Sequence, residues 1–161
     1  MRDLRERVSG WLRGQTCFVG VGSVARGDDG VGVRLAEGLR DGIGAEVIIA
    51  GDAPERWLTR LAGGGHGAVV FLDAVDFGGA PGSVVVLDSA EVVARYPQVS
   101  THKIGLGALA RMIAADGGPT VWLLGVQPES VGAGAGLTPA VERAVGLLSR
   151  LFSEAVQGVG A

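Results

Sequence analysis

Three polar side chains occupy positions where an alternating α/β chain would place a functional site. Asp29 lies in a glycine-rich loop after the first apolar run, Asp73 directly follows the third run, and His102 precedes a predicted helix. In open parallel sheets, ligands bind at the carboxyl ends of the strands. Two carboxylates and one imidazole could hold a divalent transition metal with open positions, or they could supply acid and base groups. The residue types alone leave both possibilities open.

The loop that carries Asp29 also supports a different hypothesis. Gly20, Gly22 and Ala25 satisfy the loose glycine fingerprint of dinucleotide-binding domains. However, a pyrophosphate would lie at the positive N-terminus of the following helix, where Asp28 and Asp29 place negative charge. Helix capping is the favoured interpretation of Asp28, whereas capping and chemistry are equally open for Asp29.

Two other reactive side chains are interpreted as structural. Cys17 is the only cysteine, so it excludes an intrachain disulfide and a multi-cysteine metal site. It lies in a predicted buried strand, which disfavours a role as nucleophile. His66 lies in a run of glycines at the amino end of the third strand and is predicted to be an exposed loop residue.

The elements that must position these residues follow from the pattern of apolar residues. Short apolar runs alternate with segments of helical spacing, which predicts a mostly parallel sheet of about five strands in a three-layer α/β/α domain. One domain is expected over 1–161, with 1–14 as an N-terminal helical extension that packs on its own core. Strands are predicted at 17–21, 46–50, 68–72, 83–87 and 121–126. Helices are predicted over 2–13 and around 31–39, 57–61, 106–113 and 139–152.

Composition excludes several classes of function. The net charge of −3 disfavours a broad nucleic-acid-binding surface. The longest apolar runs are far too short to span a bilayer, and the charged N-terminus does not read as a secretory signal. Together with the single cysteine, these features lead us to expect a cytoplasmic protein without a membrane partner.

Four blocks of the sequence stand out as motifs in a fixed order: residues 20–23 with 27–32, 72–76 with 79–82, 100–102, and 125–130 with 136–139. In this order they resemble the motifs of the hydrogenase maturation protease family, the endopeptidases that process nickel–iron hydrogenase large subunits. Ser23 stands where the family often has asparagine, and its hydroxyl is expected to bond the loop backbone instead.

The resemblance implies a function and a site. It implies that Asp29, Asp73 and His102 bind nickel and that Asp29 and Asp73 are catalytic, in an aspartic-type or metal-assisted peptidase. The implied substrate is a nickel–iron hydrogenase large-subunit precursor, whose C-terminal extension is removed after nickel insertion. The nickel would arrive with the precursor, zinc or cadmium could replace it in vitro, and the protease is expected to be a monomer.

Two alternatives to this function stay open at the level of sequence. One is a Rossmann-like nucleotide-binding module, supported by the glycine fingerprint and by the acidic Asp52 after the second strand. The other is a non-catalytic metallochaperone that binds hydrogenase precursors without cutting them. Only a cleavage assay separates that protein from a protease.

Overall fold

Five strands form one sheet in a computed structural model that describes residues 2–95 and 105–160. Each predicted strand is present, and its bounds differ from the prediction by no more than two residues at either end. The strands are β1 Thr16–Val21, β2 Glu46–Gly51, β3 Ala68–Ala74, β4 Val84–Asp88 and β5 Thr120–Val126.

Six α-helices connect and cover these strands in the described part of the chain. They are α1 Arg2–Arg13, α2 Val31–Leu39, α3 Leu58–Gly63, α4 Ser89–Arg95, α5 Leu106–Ala114 and α6 Pro139–Val159. Single 3-10 turns span Gly27–Gly30, Pro54–Trp57 and Ala115–Gly117.

Helix α4 is absent from the sequence-based prediction. Its start is fixed by a reciprocal pair of hydrogen bonds: Glu91 N–H donates to Asp88 Oδ1 at 2.8 Å, and Asp88 N–H donates to Glu91 Oε1 at 3.3 Å. This is a capping box, in which two side chains satisfy backbone donors of the first turn. An aspartate at position 88 followed by a glutamate at position 91 therefore indicates the start of α4 from the sequence itself.

The sheet has the order β2-β1-β3-β5-β4. Strands β2, β1, β3 and β5 run parallel, and β4 pairs antiparallel with β5 at the edge. Strand β2 pairs with one side of β1, and β3 pairs with the other side. The direction in which the chain adds strands to the sheet therefore reverses between β1 and β3. Ligands of open α/β sheets bind outside such a reversal, at the carboxyl ends of the strands.

Helices cover both faces of the sheet, which confirms the three-layer α/β/α prediction. One core lies between the sheet and α1, α2 and α6, where Phe18 packs edge-on against Phe152 with ring centroids 5.5 Å apart. The second core lies on the opposite face, where α3, α4 and α5 contribute Leu61, Val92 and Leu109. Burial of these two apolar faces is the main contribution to stability.

The predicted N-terminal helix packs on the protein's own core. Val8 and Trp11 of α1 are buried, and Arg5 forms an exposed ion pair with Glu154 of α6 at 2.6 Å. The buried face rather than this solvated ion pair stabilises the contact. No helix among the described residues is long and apolar enough to cross a membrane.

A glycine sets how closely α2 approaches the sheet. A Cβ atom on Gly32 would overlap the carbonyl oxygen of Leu72, near the end of β3. The absence of a side chain therefore lets the first turn of α2 press against β3. The 3-10 turn Gly27–Gly30 lies immediately before this contact, so it is held beside the carboxyl end of β3.

Candidate active site

Asp29 lies half-buried in the 3-10 turn that follows β1. Its Oδ2 accepts a hydrogen bond from Ser23 N–H at 2.8 Å, and the hydroxyl of Ser23 accepts one from Ala25 N–H at 3.3 Å. The expected bond between the Ser23 hydroxyl and the loop backbone is thus confirmed. Asp29 does not cap the helix; it closes the loop after β1 and remains partly accessible to solvent.

Asp73 is the penultimate residue of β3 and is 6% exposed. Its Oδ1 accepts a hydrogen bond from Ala74 N–H at 2.8 Å. A carboxylate this deeply buried has lost most of its hydration, which is costly unless polar groups or a cation replace the water. The turn after β3 is capped by another residue, Asp76, whose Oδ1 accepts a hydrogen bond from Gly78 N–H at 3.3 Å.

The two carboxylate-bearing residues meet at Gly22, directly after β1. Gly22 has a φ of +118°, and a Cβ atom built on it would overlap the carbonyl oxygen of Asp29 and lie 3.5 Å from Asp73 Oδ1. Asp29 and Asp73 therefore lie at the carboxyl ends of the neighbouring strands β1 and β3, the edge that the sequence predicts. That they share one cation with His102 stays a prediction. His102, the third predicted site residue, lies outside the described residues.

Replacing Gly22 by alanine tests this close approach. We expect Gly22→Ala to push the Asp29 turn away from the end of β3 and to lower the free energy of unfolding by about 1–3 kcal/mol. Gly44→Ala is the matched control, because Gly44 also has a positive φ, +68°, but no atom lies within 4 Å of its Cβ position. Thermal melts of both variants check this, and equal effects of the two changes would contradict it.

Asp28 connects two loops of the site, and its interpretation as a helix cap is wrong. It is fully buried and makes no cap bond to the turn or helix that follows it. Its carboxylate instead accepts hydrogen bonds from the backbone N–H groups of Glu129 (2.9 Å), Ser130 (3.1 Å) and Thr138 (2.7 Å), and from the Thr138 hydroxyl (2.8 Å). Asp28 thereby fixes the 129–138 segment against the loop that carries Asp29.

The same hydrogen bonds decide the charge state of Asp28. Burial by itself would raise the pKa of its carboxyl, but the donors on Thr138, Glu129 and Ser130 outweigh that effect, and the pKa is lowered. A carboxylate that accepts several N–H bonds is stabilised in its charged form. Asp28 is therefore an anion at neutral pH, engaged by backbone donors.

Gln127 is a third buried polar residue at this edge, after Asp28 and Asp73, and it has no role in the sequence-based prediction. Its Oε1 accepts hydrogen bonds from Phe77 N–H at 2.9 Å and Gly79 N–H at 3.1 Å, and its Nε2 donates to Asp76 Oδ1 at 3.1 Å. It thus holds the loop that follows Asp73. No local pattern marks this role, because the bonded residues lie about fifty positions away in sequence.

The opposite edge of the sheet holds Cys17 and His66. Cys17 is buried in β1, and burial raises the pKa of its thiol to about 12, so it is not an accessible nucleophile.

The prediction that His66 is an exposed loop residue is wrong. Its side chain is only 9% exposed, and its Nε2 lies 2.6 Å from Glu46 Oε2. Gly67 N–H donates to Gln15 O at 2.7 Å, which folds the glycine run back against the sheet and buries the ring.

The arrangement at the carboxyl edge suits two kinds of chemistry. Carboxylate oxygens of Asp29 and Asp73 are suitable ligands for a divalent cation, and either group could take a proton from water. The protein is thus an α/β domain with two carboxylates, those of Asp29 and Asp73, beyond the carboxyl ends of β1 and β3, where the strand order reverses.

Comparisons with known proteins place this domain in a family. A model of hydrogenase maturation proteases matches residues 33–154, a range that includes Asp73 and begins just after Asp29. The hydrogenase 2 maturation protease of Escherichia coli K12 is 32% identical over 132 residues, which are 77% of this chain and 79% of that protein. The hydrogenase 3 maturation protease of the same strain is 30% identical over 127 residues, 78% of this chain and 80% of that protein.

Solved structures agree with the sequence comparisons. The crystal structure of the [NiFe] hydrogenase maturation protease HycI from Thermococcus kodakarensis superposes with a TM-score of 0.81 at 30% identity, over 96% of this chain and 99% of that one. The maturating endopeptidase HybD of E. coli superposes with a TM-score of 0.74 at 28% identity, over 91% and 94%. This chain belongs to the hydrogenase maturation protease family, and its enzyme class is that of an endopeptidase.

Proposed function

We propose that the protein removes a C-terminal extension from the large-subunit precursor of a nickel–iron hydrogenase after nickel has been inserted. The observation that carries the proposal is the convergence of Asp29 and Asp73 on Gly22, at the reversal of strand order, in a member of this protease family. A peptide bond bound at this edge would lie beside two carboxylates from two different strand ends.

The nickel is part of the substrate in this proposal. Asp29 and Asp73, with His102, would complete the coordination of a nickel ion that the precursor already carries. Oxygen and nitrogen donors accept several divalent metals, so zinc or cadmium could occupy the same ligands in vitro. Three protein ligands leave coordination positions open for groups of the substrate.

Two routes for the chemical step are compatible with this site. In one, the nickel carried by the precursor would polarise the scissile carbonyl, and the carboxylates of Asp29 and Asp73 would hold that nickel in position. In the other, Asp29 or Asp73 acts as general base toward a water molecule, as in an aspartic-type peptidase. Asp29 is the more accessible of the two carboxylates, which favours it as the group that meets water.

The surface around the site is suited to a polypeptide. Val24 is 42% exposed and Val131 is 44% exposed, and they lie on the two loops that Asp28 joins. Backbone hydrogen bonds from Gly27 to Ala135 and from Gly134 to Ala25 hold these loops together. Such a rim would give a chain segment apolar contacts on a preformed surface. A monomeric, cytoplasmic enzyme meets the precursor in this proposal.

The site disfavours the nucleotide-binding alternative. A pyrophosphate at the start of α2 would meet the anionic Asp28 and the carboxylate of Asp29, and like charges in a partly buried site repel strongly. A metallochaperone would bind the precursor with the same residues but would not cut it. Only a cleavage assay therefore distinguishes it from a protease.

Incubation of the purified chain with a nickel-loaded large-subunit precursor tests the proposal. We expect the precursor to lose the mass of a C-terminal peptide, measured by mass spectrometry, and we expect Asp73→Asn to leave the precursor intact. Binding without a change in mass would support the metallochaperone. Thermal stabilisation by a dinucleotide without any effect on the precursor would support the nucleotide-binding module.

A further inference from the structure

A second cluster of metal-ligating side chains lies at the amino edge of the sheet. Cys17 and Glu46 stand opposite each other in the register of β1 and β2, and His66 lies two residues before β3. The Asp29 and Asp73 site lies beyond the carboxyl ends of β1 and β3, so a strand length separates the two places. We refer to Cys17, Glu46 and His66 as the amino-edge cluster.

The donor atoms of the amino-edge cluster are close enough to share an ion. The Cys17 Sγ, one carboxylate oxygen of Glu46 and one ring nitrogen of His66 lie within 4.8 Å of one another. A cation held by bonds of about 2.0–2.3 Å would need these atoms about 3.5 Å apart, which small rotations of the side chains supply.

The histidine ring has bonding capacity that the protein leaves unused. His66 Nε2 contacts Glu46, but Nδ1 is buried and has no hydrogen-bond partner among the described residues. A cation shared with Glu46 must bind through Nε2, the nitrogen that faces this carboxylate, and would replace the proton that lies between them. The buried Nδ1 then carries the proton of the neutral ring.

We propose that Cys17, Glu46 and His66 bind a zinc-type divalent cation. Thiolate, imidazole and carboxylate are the ligands that zinc takes in proteins, and a multi-ligand set with sulfur disfavours magnesium or calcium. Binding replaces the thiol proton of Cys17, which leaves to solvent, and uses a lone pair of neutral His66. A surface cavity of about 280 Å³, lined in part by Glu46 and His66, reaches these two ligands from solvent, whereas Cys17 lies behind them in the core.

Arg60 limits the affinity of this site. Its Nε donates to Glu46 Oε1 at 2.7 Å, so that oxygen is engaged and the guanidinium charge opposes a cation. The Arg60 side chain is 57% exposed, however, and solvent screens much of its charge. The expected function of the ion is to cross-link β1, β2 and the loop before β3, which raises thermal stability without any part in cleavage.

Cadmium titration of the full chain tests this site, because the chain has one cysteine. A thiolate-to-cadmium charge-transfer band in the ultraviolet can then arise only from Cys17. We expect this band to saturate at one cadmium per chain, to be reversed by zinc, and to persist in an Asp29→Asn, Asp73→Asn double variant that lacks the carboxyl-edge ligands.

Two variants separate the site from an ordinary buried ion pair. Cys17→Ala should remove the band, and His66→Ala should weaken the cadmium affinity at least tenfold while circular dichroism shows a folded chain. If His66→Ala does not fold, His66→Gln provides the same comparison. Absence of the band in the wild-type chain at excess cadmium, or a band of unchanged affinity in the folded His66 variant, would overturn the proposal.

Discussion

Asp29→Asn and Asp73→Asn are each expected to reduce precursor cleavage by roughly 10²–10⁴-fold, the loss typical when a positioned acid–base group is removed. Asparagine has nearly the shape of aspartate but carries no charge, so it neither holds a cation well nor takes a proton from water. Each amide oxygen can still accept the bond that the carboxylate accepts now, from Ser23 N–H to Asp29 and from Ala74 N–H to Asp73. The fold should therefore persist, and initial rates measured by mass spectrometry report the site alone.

Asp41→Asn is the matched control for these variants. Asp41 is exposed and lies after α2, and its replacement changes the net charge by the same amount. We expect wild-type rates from it. Loss of activity in the two site variants together with loss of their cooperative thermal transitions would assign Asp29 and Asp73 a structural role instead.

Removal of the Asp28 carboxylate has the largest expected effect on stability. Asp28→Ala would leave three backbone N–H groups and the Thr138 hydroxyl without their acceptor, where a hydrogen bond to a charged group contributes about 1.5–3 kcal/mol. Because these bonds are not additive and the 129–138 loop can regain water, we expect a loss of about 3 kcal/mol in the free energy of unfolding. Urea denaturation of wild type and variant measures it. A loss below about 0.5 kcal/mol, the range of ordinary surface substitutions, would contradict the assigned role.

The pH dependence of Asp28→Asn provides a separate check. Since the pKa of Asp28 is lowered in the folded state, its charge contributes stability that is fully present above the unfolded pKa, about 3.9. That contribution is lost as the pH falls through the lowered folded pKa. The difference in stability between wild type and Asp28→Asn should therefore shrink as the pH drops below about 4. A difference that stays constant across this range would show that the charge of Asp28 is not what matters.

Periodicity was sufficient to predict the strands and the layers, because burial on both faces imposes continuous apolar runs on β1, β3 and β5. The sequence also predicted that Asp29 and Asp73 share an edge, since parallel strands bring their carboxyl ends together. Helix α4 was missed because its seven residues are too few to show a clear period, although its capping box was visible in the sequence.

The roles of Asp28 and His66 depended on partners that are distant in sequence. Asp28 next to a helix start resembles a cap locally, but its donors lie about a hundred residues further along the chain. His66 within glycines resembles an exposed loop residue, and only the pairing of β1 with β2 and β3 brings it to Glu46. Local spacing predicts elements and shared edges, whereas long-range hydrogen bonds between loops follow only from the assembled fold.

The most direct test of the proposed function compares nickel-loaded and nickel-free forms of the same hydrogenase large-subunit precursor. Each form is incubated with the metal-free chain, and the mass of the large subunit is followed over time. If Asp29 and Asp73, with His102, recognise nickel carried by the substrate, only the nickel-loaded precursor is cleaved, and nickel added to the protease alone does not replace it. Efficient cleavage of the nickel-free precursor by the metal-free chain would contradict this account and leave a peptidase that depends on its carboxylates alone.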